Sequence, residues 1–90
     1  MNDIEIYIPP EFADVAEPLA HGARKYGDGG TGWLDGKNFS HRNNHASMCR
    51  HLAEHYMGVD ADHETGLDPL LHLACRALMA YTMKKRGLHK

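Results

Sequence analysis

The sequence predicts an all-α fold: a small three-helix domain with a short extended N-terminal segment and a long glycine-rich loop between helices 1 and 2. Three observations predict it. Apolar residues recur at helical spacing in three separate segments, glycines or an Asp-Pro pair punctuate those segments, and period-two alternation is confined to Ile4, Ile6 and Ile8. Ninety residues make a single domain over 1–90, near the size at which one core is only marginally sufficient, so oligomerisation is expected to complete the burial.

The extended segment ends at Pro9-Pro10. From Pro10 the period changes: at about 100° per residue, Phe12, Val15, Ala16, Leu19, Ala23 and Tyr26 form one narrow stripe, which predicts an amphipathic helix ending at Gly27. Pro18 points away from that stripe, so a kinked but continuous helix is expected there, with a true break as the alternative. Ser40 is the N-cap of a second helix running to about Met57, closed by Gly58. Asp68-Pro69 is an N-cap followed by proline at the first helical position. The third helix runs from there to Gly87 and is expected to bury Leu70, Leu73, Ala74, Ala77, Leu78 and Tyr81.

The formal charge of −2 argues against a nucleic-acid binder working by bulk electrostatics, although the end KKRGLHK is locally basic. No apolar run approaches the roughly 18 residues that span a bilayer, and MNDIEIYIPP lacks the regions of a signal peptide. A cytoplasmic location without membrane contact is expected. Cys49 and Cys75 lie in helical patterns without CxxC spacing and read as buried, reduced thiols.

The loop KYGDGGTGWLDGKNF, Lys25 to Phe39, looks at first like a phosphate loop. Counting excludes the Walker form: with Gly36-Lys37 as the pair, Thr31 stands where the first glycine belongs and Asn38 where the metal-binding hydroxyl belongs. Backbone N–H groups near Ser40 could still meet an anion, or the loop could be a connection whose Trp33 packs on the core. Four histidines, His41, His45, His51 and His55, cover about 120° of the second helix. They share it with Met48, Leu52 and Tyr56, so partly buried or subunit-facing histidines are favoured over a zinc site, and no HExxH occurs.

The stretch Asp60-Ala61-Asp62-His63-Glu64 opens like a calcium loop. It has Thr65 where glycine is required and Leu71 where a bidentate glutamate is required, so an EF-hand is rejected. Two readings stay open: Mg²⁺ held by Asp60, Asp62 and Glu64 beside a substrate phosphate, or a solvated turn whose acids favour the following helix N-terminus. On the third helix, His72, Arg76, Met79 and Met83 lie away from the apolar stripe. That side is either a subunit contact or a polar cluster in which Arg76, with Lys25 and Arg50, supplies positive charge for a phosphate.

The order IPPEF, GARKYG, GW with a following glycine and NF, RHL, GVDADHETGL and a helix with His72 resembles the small phage-encoded domain labelled dATP/dGTP diphosphohydrolase, N-terminal. The most specific pieces are GARKYG and DADHETGL, and the likeness covers nearly the whole chain. It departs at Pro18, at Pro69, where the family often has histidine, and at Arg76, where it often has asparagine.

The resemblance implies purine deoxynucleoside triphosphates, divalent metal and pyrophosphate release in a phage-infected host cell. All-α pyrophosphohydrolases hold Mg²⁺ on paired acids of two helices. This chain has Glu11, Asp14 and Glu17 on the first and only Glu54 on the second. The expected site is therefore Asp60, Asp62 and Glu64 for metal, with Lys25, Tyr26, Trp33, Arg50 and Arg76 on the ligand. His51, facing the phosphates, and His72, as general acid or base, are the catalytic candidates. The alternative from another class is a non-catalytic homo-oligomer that sequesters a host nucleotide signal, an anti-defence protein. A histidine-dependent zinc protein is a third reading.

Overall fold

The computed structural model describes residues 5–27, 29–35 and 39–88. Gly36-Lys37, the pair that invites the phosphate-loop comparison, lies outside them, as does Ile4. Among the described residues the fold is all-helical, with α1 (Ala16–Tyr26), α2 (His41–Tyr56) and α3 (Pro69–Lys85) and no strand. The chain enters extended from Glu5 to Pro9.

The first helical segment differs from the expected kinked α-helix. Pro10–Val15 winds as a 3₁₀ helix, and α geometry begins at Ala16. The reason is Pro18, which has no N–H to offer a carbonyl one turn back. With Val15 as N-cap, Pro18 falls in the first turn of α1, where amides lack intrahelical partners and a missing N–H costs little. At the other end Gly27 takes φ 68°, a left-handed conformation suited to glycine, and its N–H closes on Ala23 O at 2.8 Å.

The caps of α2 and α3 match the sequence reading. Ser40 Oγ accepts from Asn43 N at 3.2 Å, and Asp68 Oδ1 accepts from Leu70 N at 2.8 Å. Ser40→Ala is expected to lower stability by about 1 kcal/mol, read as a shift in a urea unfolding midpoint. An unchanged midpoint would mean that Ser40 does not hold the helix start.

α2 and α3 form an antiparallel hairpin, as the pairs Asn44/Arg76 and His51/His72 require. α1 and the 3₁₀ segment rest on α3. The buried apolar side chains among the described residues are Cys75, Met79 and Met83, and Pro69 at the start of α3 is buried as well. This reverses the expected orientation of α3. Leu70, Leu78 and Tyr81 of the apolar stripe are 42%, 52% and 58% exposed, and the side bearing His72, Arg76, Met79 and Met83 faces the other elements. Phe12 and Tyr26 of the first stripe and Cys49 are exposed as well, against expectation.

The inversion follows from what α2 and α1 present to α3. The inward side of α2 carries Asn44 and His51, both 3% exposed, and polar groups buried there need polar partners. Asn44 Nδ2 donates to Arg76 O at 3.0 Å, and Arg76 Nη1 donates to Asn44 Oδ1 at 3.4 Å. The Arg76 side-chain donor is one that an apolar residue could not supply, while His51 is paired within α2, with Glu54 and Arg50.

Candidate functional site

α1 and α2 lean on α3 so that a cavity of about 790 Å³ opens over the inward side of α3. Its walls bring together Lys25 and Tyr26 from α1, Trp33 from the glycine-rich loop, Arg50 and His51 from α2, Asp62 and Glu64 from the acidic loop, and His72 and Arg76 from α3. Nine of the ten residues expected from sequence therefore meet in one place. Asp60 does not: it is exposed and does not line the cavity.

The acidic loop is built around Asp62. Its N–H donates to Leu67 O and its carbonyl accepts from Gly66 N, each at 2.7 Å, so residues 62–67 close on themselves. Gly66 provides the left-handed turn, with φ 74°. The Asp62 carboxylate is buried, and its Oδ2 accepts from Glu64 N at 3.0 Å, Thr65 N at 3.0 Å and the Thr65 hydroxyl at 3.2 Å. Burial works against the anion, yet these donors outweigh it and hold the Asp62 pKa below the ordinary carboxylate value. Thr65 Oγ1 lies 2.7 Å from His72 Nε2, so carboxylate, hydroxyl and imidazole form a chain.

The imidazoles of His51 and His72 stack with centroids 4.6 Å apart and planes 13° apart. His51 Nδ1 lies 2.9 Å from Glu54 Oε1, one turn along α2, and Arg50 Nη2 lies 3.4 Å from its Nε2. Burial, then the adjacent His51 ring, holds the His72 pKa below the usual histidine value, although the Asp62 charge pulls the other way. His72 is consequently neutral at pH 7 and can accept a proton. A histidine whose folded pKa is depressed binds fewer protons than in the unfolded chain just below pH 6.5, so stability falls as pH drops through that region. Urea titrations in chelator are expected to show the midpoint declining below about pH 6.5, with the decline reduced in His72→Gln.

Lys25 Nζ reaches across from α1 to Glu64 Oε1 at 3.1 Å and sits 5.5 Å from the Tyr26 ring centroid. The bond to Glu64, with its charge, raises the Lys25 pKa, and the ammonium is held at the edge of the cavity. Both side chains are exposed, so the pair positions more than it stabilises. Trp33 stands in a short 3₁₀ turn, Gly32–Asp35, half-buried, with Nε1 donating to Gly30 O at 2.8 Å and Phe39 beside it. The glycine-rich loop is thus a connection that positions Trp33 at the cavity.

The donors do not group as expected. Among the described residues, Asp60, Asp62 and Glu64 do not form one cluster of donor atoms; the four histidines of α2, not favoured as a metal site, do not form one either. The cluster of donor atoms found among the described residues is His51, Glu54 and Asp62, whose ligand atoms lie within 4.8 Å of one another. Glu54, counted in the sequence only as the lone acid of the second helix, has no place in the expected site. Its signal was the i, i+3 spacing from His51, which puts both on one helix face.

No curated protein and no solved structure matches the chain. The family model described as dATP/dGTP diphosphohydrolase, N-terminal, matches residues 2–90, and its match takes in both the GARKYG segment that ends α1 and the Asp62 loop on the opposite wall of the cavity. The chain that builds this cavity belongs to that family.

Proposed function

We propose that the cavity binds a purine deoxynucleoside triphosphate together with a divalent cation, and that the chain releases pyrophosphate from it. The observation that carries the reading is the convergence of three cationic side chains, two aromatic rings, His51, His72 and the Asp62 carboxylate around one space of about 790 Å³, within the size range of small-ligand sites. Lys25, Arg50 and Arg76 meet the phosphates, Arg50 and Arg76 with the planar fork that suits phosphate oxygens. Tyr26 and Trp33 offer ring faces to the base.

Hydrolysis at the α-phosphorus forms a bond from a water oxygen to phosphorus and breaks the bond to the bridging oxygen, with pyrophosphate leaving. His72, neutral at pH 7, takes the proton from that water. Thr65 and Asp62 orient its ring through Nε2. His51 and the carboxylates of Glu54 and Asp62 are the donors that would hold the cation, which when bound neutralises phosphate charge.

Incubation of the protein with each of the four deoxynucleoside triphosphates and a divalent cation, followed by anion-exchange chromatography, tests this. Monophosphate and pyrophosphate from dATP and dGTP are expected, falling about 10²-fold or more in His72→Ala. Absence of turnover with every nucleotide rejects hydrolysis. Tight retention of an unchanged nucleotide is instead the result that the sequestering alternative predicts.

A further inference from the structure

We infer that His51, Glu54 and Asp62 form a site for a divalent first-row transition ion of the Mn²⁺, Co²⁺ or Zn²⁺ class, in preference to Mg²⁺. The inference deepens the metal side of the proposed function and rests on the same cavity. Three features carry it. First, the donors come from two elements, α2 and the acidic loop, and already stand within 4.8 Å of one another. Second, the 2.9 Å between His51 Nδ1 and Glu54 Oε1 is close to the roughly 3.0 Å that separates adjacent donors on an octahedral ion with bonds near 2.1 Å. A cation there replaces the proton that the two atoms share.

Third, the supporting groups hold the donors in place. Asp62 Oδ2 is anchored by three hydrogen bonds, and His51 is 3% exposed and stacked flat on His72. An imidazole donor selects for transition ions, whereas Mg²⁺ prefers oxygen alone and keeps most of its water. Three protein donors leave positions open for water or a phosphate oxygen, the pattern of a working site and not of a closed structural one. With Nδ1 on the cation the imidazole carries its proton on Nε2, so Arg50 gives up its 3.4 Å contact there and is released toward the phosphates.

The test needs no nucleotide. Chelator-treated protein is titrated with CoCl₂, followed by visible absorption, and with MnCl₂, ZnCl₂ and MgCl₂, followed by calorimetry. One equivalent of Co²⁺ is expected to give a visible d–d band, and Mn²⁺ or Zn²⁺ to bind at least about tenfold more tightly than Mg²⁺. Glu54→Gln and Asp62→Asn, near-isosteric changes checked for folding by circular dichroism, are each expected to weaken Co²⁺ binding by about tenfold or more. No band, equal affinity for Mg²⁺, or unaffected binding in both folded variants overturns the inference. Metal binding without turnover of any nucleotide would leave this site standing and remove the hydrolytic function; turnover with Mg²⁺ and no transition-ion binding would do the reverse.

A separate observation concerns the outward side of α3. We propose that this side is a two-fold interface between copies of the chain. Leu70, Ala74, Ala77 and Tyr81 recur at steps of four, three and four, the a/d spacing of a helix–helix seam. The pairs Leu70/Tyr81 and Ala74/Ala77, all four exposed, are both centred on one point between Cys75 and Arg76. An antiparallel copy of α3 placed about that point therefore meets large residues with large and small with small, as a self-complementary interface requires. It also brings Asp68 toward the partner's end of the helix that carries its two consecutive lysines.

The exposed area of the chain, 7011 Å², exceeds the about 5,300 Å² that mass scaling gives for a folded monomer of this size. Part of the excess of about 1,700 Å² belongs to the extended entry with Ile6, Tyr7 and Ile8, and the α3 side with Leu70, Leu78 and Tyr81 contributes toward the roughly 800 Å² that each partner buries in a standard interface. Light scattering on a sizing column is expected to show an assembly that Ala77→Lys converts to monomer with its helical circular dichroism intact. In a Cys49→Ser background, Ala74→Cys combined with Ala77→Cys is expected to form a covalent dimer on mild oxidation. A monomeric native protein, an assembly unchanged by Ala77→Lys, or no covalent dimer overturns the proposal.

Discussion

Asp62→Ala is expected to lower the unfolding free energy by about 3 kcal/mol, a drop in melting temperature of roughly 12–24 °C for a domain this small. The carboxylate is buried and accepts from Glu64 N, Thr65 N and the Thr65 hydroxyl, all through Oδ2. Removing it leaves two backbone donors without a partner in a tight turn, and charge-assisted bonds of this kind are worth about 1.5–3 kcal/mol each before relaxation of the loop. The same change frees the hydroxyl that His72 contacts, so nucleotide and metal binding are expected to fall as well. Asp60→Ala, two residues away but exposed and outside the cavity, is expected to stay within about 0.5 kcal/mol of the native protein. Calorimetric melting of the two variants decides it, and equal losses would mean that Asp62 does not organise the loop.

Met83→Ala is the second large effect, expected to cost about 3 kcal/mol in urea unfolding. Met83 is fully buried, one of three buried apolar side chains of the core with Cys75 and Met79 among the described residues, and truncating it removes buried apolar volume. Leu78→Ala is expected to cost less than about 1 kcal/mol when measured in the Ala77→Lys background, where no partner helix covers that side. The apolar stripe in the sequence predicts the opposite order. A larger loss at Leu78 than at Met83 would restore that stripe as the core of the single chain.

The contrast marks where local patterning stopped being informative. Helix starts were legible because capping is local chemistry: Ser40 three residues before Asn43 N, and Asp68 beside Pro69, satisfy orphan amides whatever the rest of the chain does. Pro18 was half legible. A missing N–H disturbs a helix, but that the disturbance takes the form of a 3₁₀ segment before Ala16, with Pro18 in the first turn of α1, is seen only in the structure. The side of α3 that turns inward was not legible, because two sides of one helix both carry apolar residues. The side that turns inward is the one that meets Asn44 and His51 of α2, through the Arg76 hydrogen bonds and the His72 ring stack, 32 and 21 positions further along the chain.

The candidate site divides in the same way. The composition of the acidic loop and of the GARKYG segment could be read directly, and the family match over residues 2–90 agrees with the resemblance that those segments carry. Spacing alone grouped Asp60, Asp62 and Glu64, since alternate residues of an extended loop project to one side. Closure of the turn through Asp62 breaks that alternation, leaving Glu64 on Lys25 and Asp60 in solvent. Types of residue, helix caps and the all-α class follow from interactions within a few positions along the chain. Which acid stands beside which histidine, and which side of α3 is the floor of the cavity, follow from packing between segments far apart in sequence, where burial requires each polar group to find a partner.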